Sequence, residues 1–162
     1  MSAAPHPSHQ RVAAALRAAG LDAEVRELSE STRTAQEAAT ALGVDVAQIA
    51  KTLVFLADGR AVVVVASGVH RVDTGRLSAA LDGATIGRAD ADAVRAATGY
   101  PIGGVSPAAL PDGLVVLVDD GLRGQDPVWA AAGTPRAVYR TTYGDLLTLT
   151  GGRPVAVAAA PG

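Results

Sequence analysis

The chain has 162 residues, 49% of them hydrophobic, which suits one domain with ample material to bury in one core. It has no cysteine, which excludes disulfides, zinc–thiolate centres and cysteine nucleophiles. A net charge of −2 excludes a protein that coats nucleic acid by charge alone, but not one that grips a single phosphorylated end.

Residues 8–19 predict an amphipathic helix, with Val12, Leu16 and Ala19 on one face, Ser8 as cap and Gly20 as stop. Residues 24–28 alternate and predict a strand. Thr34 and Glu37 have capping-box spacing, opening a helix to Leu42 that Gly43 ends. Asp45 caps a short turn through Ala50. Two apolar runs, Lys51–Ala57 and Arg60–Ser67, meet at Asp58-Gly59, a strong hairpin signal. The run Val62–Val65 does not alternate, which predicts burial on both faces. Asp73 caps a helix through Leu81, Thr85–Arg88 is a short strand, and Asp90 caps a helix to Ala97.

The Gly- and Pro-rich stretch 99–113 is irregular. Leu114–Val118 then predicts a strand, Asp126–Ala132 a helix, Ala137–Thr141 a strand, Tyr143–Thr150 a helix and Pro154–Ala158 a last strand. No repeat or linker divides the chain, so residues 1–162 read as a single domain with a core of about 8–158. The fold class expected is α/β (α+β), a mixed, barrel-like sheet with flanking helices. Aromatic residues are only 3%, so Ala, Val and Leu must fill the core.

The sequence has no GxxxxGK[ST], GxGxxG or GxSxG, which removes the P-loop, Rossmann and nucleophile-elbow chemistries. No apolar run is long enough to span a membrane, and the N-terminus does not read as a secretory signal. His6 and His9 sit at a Pro-flanked terminus without a partner carboxylate and read as a solvated end. His70 follows a strand and reads as structural or exposed. Without a central histidine or a cysteine, a catalytic triad is not expected.

Two segments remain. Lys51 is the only lysine beside thirteen arginines, and it stands where a helical turn enters an apolar strand. A charge there needs a partner such as a phosphate or a carbonyl oxygen, unless it snorkels to solvent. In the second segment, Thr98–Pro107, adjacent glycines let backbone N–H groups approach a ligand, and Pro107 stiffens the turn. Such a turn suits a developing oxyanion, although a plain surface loop has the same composition.

The run Ala50–Phe55 (AKTLVF), followed by Thr98–Pro107 (TGYPIGGVSP), resembles the YbaK/EbsC family, which includes the editing insertion of bacterial prolyl-tRNA synthetases. Residues 31–35, Leu42–Val44, Trp129–Pro135 and Tyr143–Leu149 fit the same pattern, and the likeness spans roughly residues 8–152. It implies a cytoplasmic aminoacyl-tRNA deacylase working by substrate-assisted hydrolysis, without metal or cofactor. Its partners would be the acceptor end of mischarged tRNA and an aminoacyl-tRNA synthetase, and no membrane. Carried over, Lys51 and Gly103 are the catalytic pair. Gly104, Ser106, Pro107, Thr98, Tyr100, Gly133 and Thr134 line the substrate site. Leu28 replaces a family tyrosine, and residues 131–138 lack the family's serine and acid, which points to another branch. A silent tRNA- or synthetase-binding module and a small-molecule ester hydrolase are the competing readings.

Overall fold

The computed structural model describes residues 7–29, 32 and 34–158; His6 lies outside them. Helix α1 (Pro7–Ala18) starts one residue before the predicted cap, so Ser8 sits in its first turn. Strand β1 is Val25–Glu27. Helix α2 (Ala35–Leu42) is capped by Thr34, whose side chain accepts from Glu37 N, and ends on left-handed Gly43. A single 3-10 turn over Val46–Gln48, boxed by Asp45 and Gln48, delivers the chain into β2 (Ile49–Ala57).

Asp58 and Gly59, both at positive φ (49° and 80°), turn β2 back into β3 (Arg60–Ser67). Positive φ at both central residues is what a tight hairpin between twisted strands requires. Then follow α3 (Thr74–Ala80), β4 (Ile86–Arg88) and α4 (Ala91–Thr98), the helices capped by Asp73 and Asp90. Past the irregular stretch come β5 (Val115–Asp119), β6 (Val128–Ala131), β7 (Ala137–Thr141), α5 (Tyr143–Thr150) and β8 (Arg153–Val155).

All eight strands join one mixed sheet in the order β1-β7-β6-β2-β3-β5-β8, with β4 paired separately to β2. The pairs β2·β6, β3·β5 and β5·β8 are parallel and the others antiparallel. The architecture is the expected mixed sheet with flanking helices. Val62–Val65 are buried on both faces: Val63 and Val65 face a cluster with α1, α4 and α5, and Val62 and Val64 one with α3.

One predicted element is wrong. Residues 126–132 are not a helix; Val128–Ala131 is a strand held between β2 and β7. Helix propensity favours the Trp-Ala-Ala-Ala run. Tertiary context overrides it, because a slot between two strands supplies backbone partners on both sides. Small residues fit that slot, with Val128 and Ala130 buried.

Leu117, on β5 beneath α3, is 1% exposed. Leu117→Ala is expected to lower stability by about 2–5 kcal/mol. Urea denaturation checks it, through a lower midpoint at unchanged slope.

Candidate active site

The site begins with an interrupted strand pairing. On the side away from β3, β2 pairs β6 only through Ile49–Ala50 and β4 only through Phe55–Ala57. Between them, from Lys51 to Val54, that edge of β2 has no strand partner among the described residues. Ile49 C=O accepts from Gly68 N on the β3 side, whereas Asp58 N donates to Thr85 C=O on the β4 side. By alternation, the backbone groups of Thr52 therefore face the bare edge.

A cleft of about 450 Å³ opens at this edge. Lys51, Thr52, Ile102, Gly103, Trp129 and Thr134 line it, with alanines of α2 and β6 on its walls and Arg88 at its exposed lip. Thr52 Oγ1 and Trp129 Nε1 are buried without hydrogen-bond partners, so the cleft holds polar groups in reserve. A larger groove of about 870 Å³, between Arg60, Asp82 and Arg153, contains neither Lys51 nor the glycine turn.

Lys51 pairs with Ala66 across β2 and β3, so its side chain leaves the strand on the face that carries Ile49 and Phe55. Val105, just beyond Gly103, packs with Ala50 and Val54 of the other face. Lysine and turn thus reach one cleft from the two sides of the bare edge. Burial lowers the Lys51 pKa, the Asp119 carboxylate acts against this, and Arg71 adds to the lowering.

The turn has a definite geometry. Gly104 N donates to Pro101 C=O at 3.0 Å, closing a four-residue turn. Gly103 holds φ +84° at its third position, where a side chain is disfavoured but space is open. Gly103 is exposed, and its N–H has no partner among the described residues. Gly104 packs on the β6–β7 connection: a Cβ there would lie 2.9 Å from Thr134 Cα.

The remaining sequence candidates surround the cleft without lining it. Thr98 Oγ1 donates to Val94 C=O and accepts from Tyr100 N. Tyr100 is fully buried, with its OH donating to Ala108 C=O at 2.6 Å and Arg11 over its ring at 4.4 Å. Burial raises its pKa against the opposing pull of Arg11, which keeps the phenol a donor. Buried Ser106 accepts from Ala108 N, and Pro107 faces α1 on the far side of the loop. Gly133 lies close against Ser8 and Tyr100. These five groups brace the loop.

His9 is buried, with Nε2 3.1 Å from Thr134 Oγ1, and does not form a solvated end. His70 does serve a structural pairing, its Nδ1 lying 2.7 Å from Asp119 Oδ2. Sequence reasoning missed Asp119. The signal available was an aspartate closing an apolar strand just before a 3-10 turn.

This fold and cleft match a class of enzymes that remove amino acids from tRNA, which is hydrolysis of a carboxylic ester. The sequence model described as "Aminoacyl-tRNA editing domain" matches residues 29–149, and the chain belongs to that family, the aminoacyl-tRNA deacylases. A solved structure proposed to be a trans-editing enzyme for prolyl tRNA synthetase superimposes with a TM-score of 0.89 at 41% identity, covering 97% of this chain and all of that one. The uncharacterized protein YwhH of Bacillus subtilis (strain 168) is 30% identical over 124 residues, 76% of this chain and 78% of that protein. The proline–tRNA ligase of Leuconostoc citreum (strain KM20) is 35% identical over 101 residues, 62% of this chain. The chain spans only 17% of that ligase's length.

Two predictions follow from the geometry. Gly104→Ala, driven into the Thr134 backbone, is expected to displace the turn, while Gly103→Ala costs only the roughly 1–2 kcal/mol of a left-handed side chain. Amide chemical shifts of the 98–107 loop and of Thr134 separate the two. Because burial disfavours the charged Lys51, the folded chain carries that cost wherever the lysine is protonated. Lys51→Met is therefore expected to be slightly more stable than wild type near neutral pH, the gain kept small by solvent screening. Thermal melts across pH check the sign: the gain fades as pH approaches the ordinary lysine value of 10.5.

Proposed function

We propose that this chain acts in trans as a cytoplasmic deacylase for mischarged tRNA, with one domain of about residues 8–158 carrying the activity. The observation that supports it is one cleft lined by both Lys51 and the unpaired amide of Gly103. Lys51 holds the phosphorylated 3′ end of the tRNA. Gly103 N–H, within the Gly103–Pro107 loop, polarises the ester carbonyl.

Water adds to the carbonyl carbon while the carbonyl electron pair moves onto oxygen, where the Gly103 amide receives the charge. A ribose hydroxyl of the terminal adenosine relays the proton. The tetrahedral species then collapses, and the ester oxygen leaves with a proton as the free ribose hydroxyl. The products are an amino acid and uncharged tRNA. Positioning replaces a side-chain base in this scheme.

Walls of alanine and a volume of about 450 Å³ favour small amino acids such as alanine, serine or cysteine. The need for such an enzyme is physical, since a synthetase pocket rejects a side chain one methylene smaller by only about 1–3 kcal/mol. Likeness to a proposed trans-editing enzyme for prolyl tRNA synthetase, and to proline–tRNA ligases, makes tRNA for proline the first acceptor to test and that synthetase the first partner.

The experiment is a panel of tRNAs charged with alanine, serine, cysteine or proline. At least one is expected to lose its amino acid faster than it does spontaneously. Lys51→Ala should abolish that activity, and Gly104→Ala, which displaces the turn and with it the Gly103 amide, should lower it by roughly 10²–10³-fold, whereas Gly103→Ala keeps the N–H and should lower it less. If the whole panel decays only at the spontaneous rate, while tRNA or a synthetase still binds, the chain is a silent recognition module.

A further inference from the structure

Among the described residues, Asp119 is the only fully buried carboxylate, and the chemistry above does not use it. It closes β5 and is saturated with donors. Oδ2 accepts from Ser67 N at 2.9 Å and from His70 Nδ1 at 2.7 Å, and Oδ1 accepts from Gly121 N at 2.8 Å. An acceptor held by three N–H groups cannot turn toward a new partner, so its direction is set.

The sheet register gives this carboxylate a second relationship. Lys51 of β2 stands opposite Ala66 of β3, and Val65 of β3 opposite Val118 of β5. One residue further along β3 and β5, Ala66 stands beside Asp119. Lys51, Ala66 and Asp119 therefore form one row across three strands, on one face. Two strand spacings put the ends of the row about 10 Å apart at Cα, within the span of a lysine and an aspartate side chain. The residue between them is an alanine with 0% exposure, so no water stands in the row itself, while the half-buried ammonium keeps part of its solvent screening.

We propose that Asp119 is a positioning residue for Lys51: its charge, acting along this row past Ala66, keeps the ammonium charged where the strand meets the cleft, and His70 fixes the carboxylate that does so. The functional consequence rests on the role given to Lys51 above; the electrostatic link does not. Asp119 also caps the 3-10 turn Asp120–Leu122. Asparagine caps a turn as well as aspartate does, so Asp119→Asn removes the charge and keeps the cap. The charged groups around Lys51 are Asp119 from β5 and Arg71 after β3, which act on it in opposite senses, with His70 on Asp119 and Arg88 of β4 at the cleft lip.

Lys51 is the only lysine, so lysine labelled with 13C at Cε reports one side-chain titration. In Asp119→Asn its midpoint is expected to fall by about half a unit or more, and in Arg71→Gln to rise. In wild type, the Asp119 carboxyl carbon should show an inflection at the Lys51 midpoint, absent in Lys51→Met; this reads the link even if Asp119→Asn does not fold. The alkaline limb of kcat/KM should move to lower pH with the Asp119→Asn midpoint. An unmoved Lys51 midpoint in folded Asp119→Asn, or a wild-type Asp119 signal without that inflection, overturns the proposal. A shifted midpoint in a chain that deacylates no tRNA keeps the link and removes the deacylase role.

Discussion

A half-buried ammonium at a gap in strand pairing is the constraint around which this site is arranged. β2 is gripped by β6 at its start and by β4 at its end, and left bare from Lys51 to Val54. A bare edge in the middle of a sheet leaves backbone groups unsatisfied unless something else approaches. A cationic side chain there adds a desolvation cost. In the function proposed above, the cleft makes both tolerable by admitting a polar substrate that takes up the edge and the charge together.

The surrounding structure keeps that gap open at a fixed width. On one side, the Asp45 box and α2 deliver Ile49 into β2 and pack beside Trp129. On the other, the Gly103 turn is braced from behind by Thr98, Tyr100 and Ser106. Arg11 from α1 lies over Tyr100, and His9 of the same helix meets Thr134 across the cleft wall. The helix that opens the described chain thus supports both walls without lining the cavity. The proposed catalysis by position would demand such bracing, since a loop that wanders by an ångström would lose an oxyanion contact.

Much of this was legible in the sequence because it is locally encoded. Thr34, Asp73 and Asp90 announce helix starts through side-chain caps, and Asp58-Gly59 announces a hairpin through its backbone preference. Lys51 stood out as a lone lysine, and Gly103 as one of two adjacent glycines that let backbone N–H groups approach a ligand. What escaped was set by distant partners. The strand at Val128–Ala131 exists because β2 and β7 flank it, against the helical preference of its alanines. Motif membership put Thr98, Tyr100 and Ser106 near the site, but only packing shows that their side chains face the core. Asp119 depends on register across three strands, which no local pattern carries.

The central claim is that Lys51 and Gly103 serve one substrate in one cleft. The most direct measurement is an NMR titration with a stable amide analogue of alanyl-adenosine bearing a 5′-phosphate, following the Lys51 Cε signal and the Gly103 amide together. The account predicts that both move along a single binding curve, with Thr134 following. Perturbations confined to the groove between Arg60 and Arg153, with Lys51 and Gly103 unmoved at saturation, would contradict it.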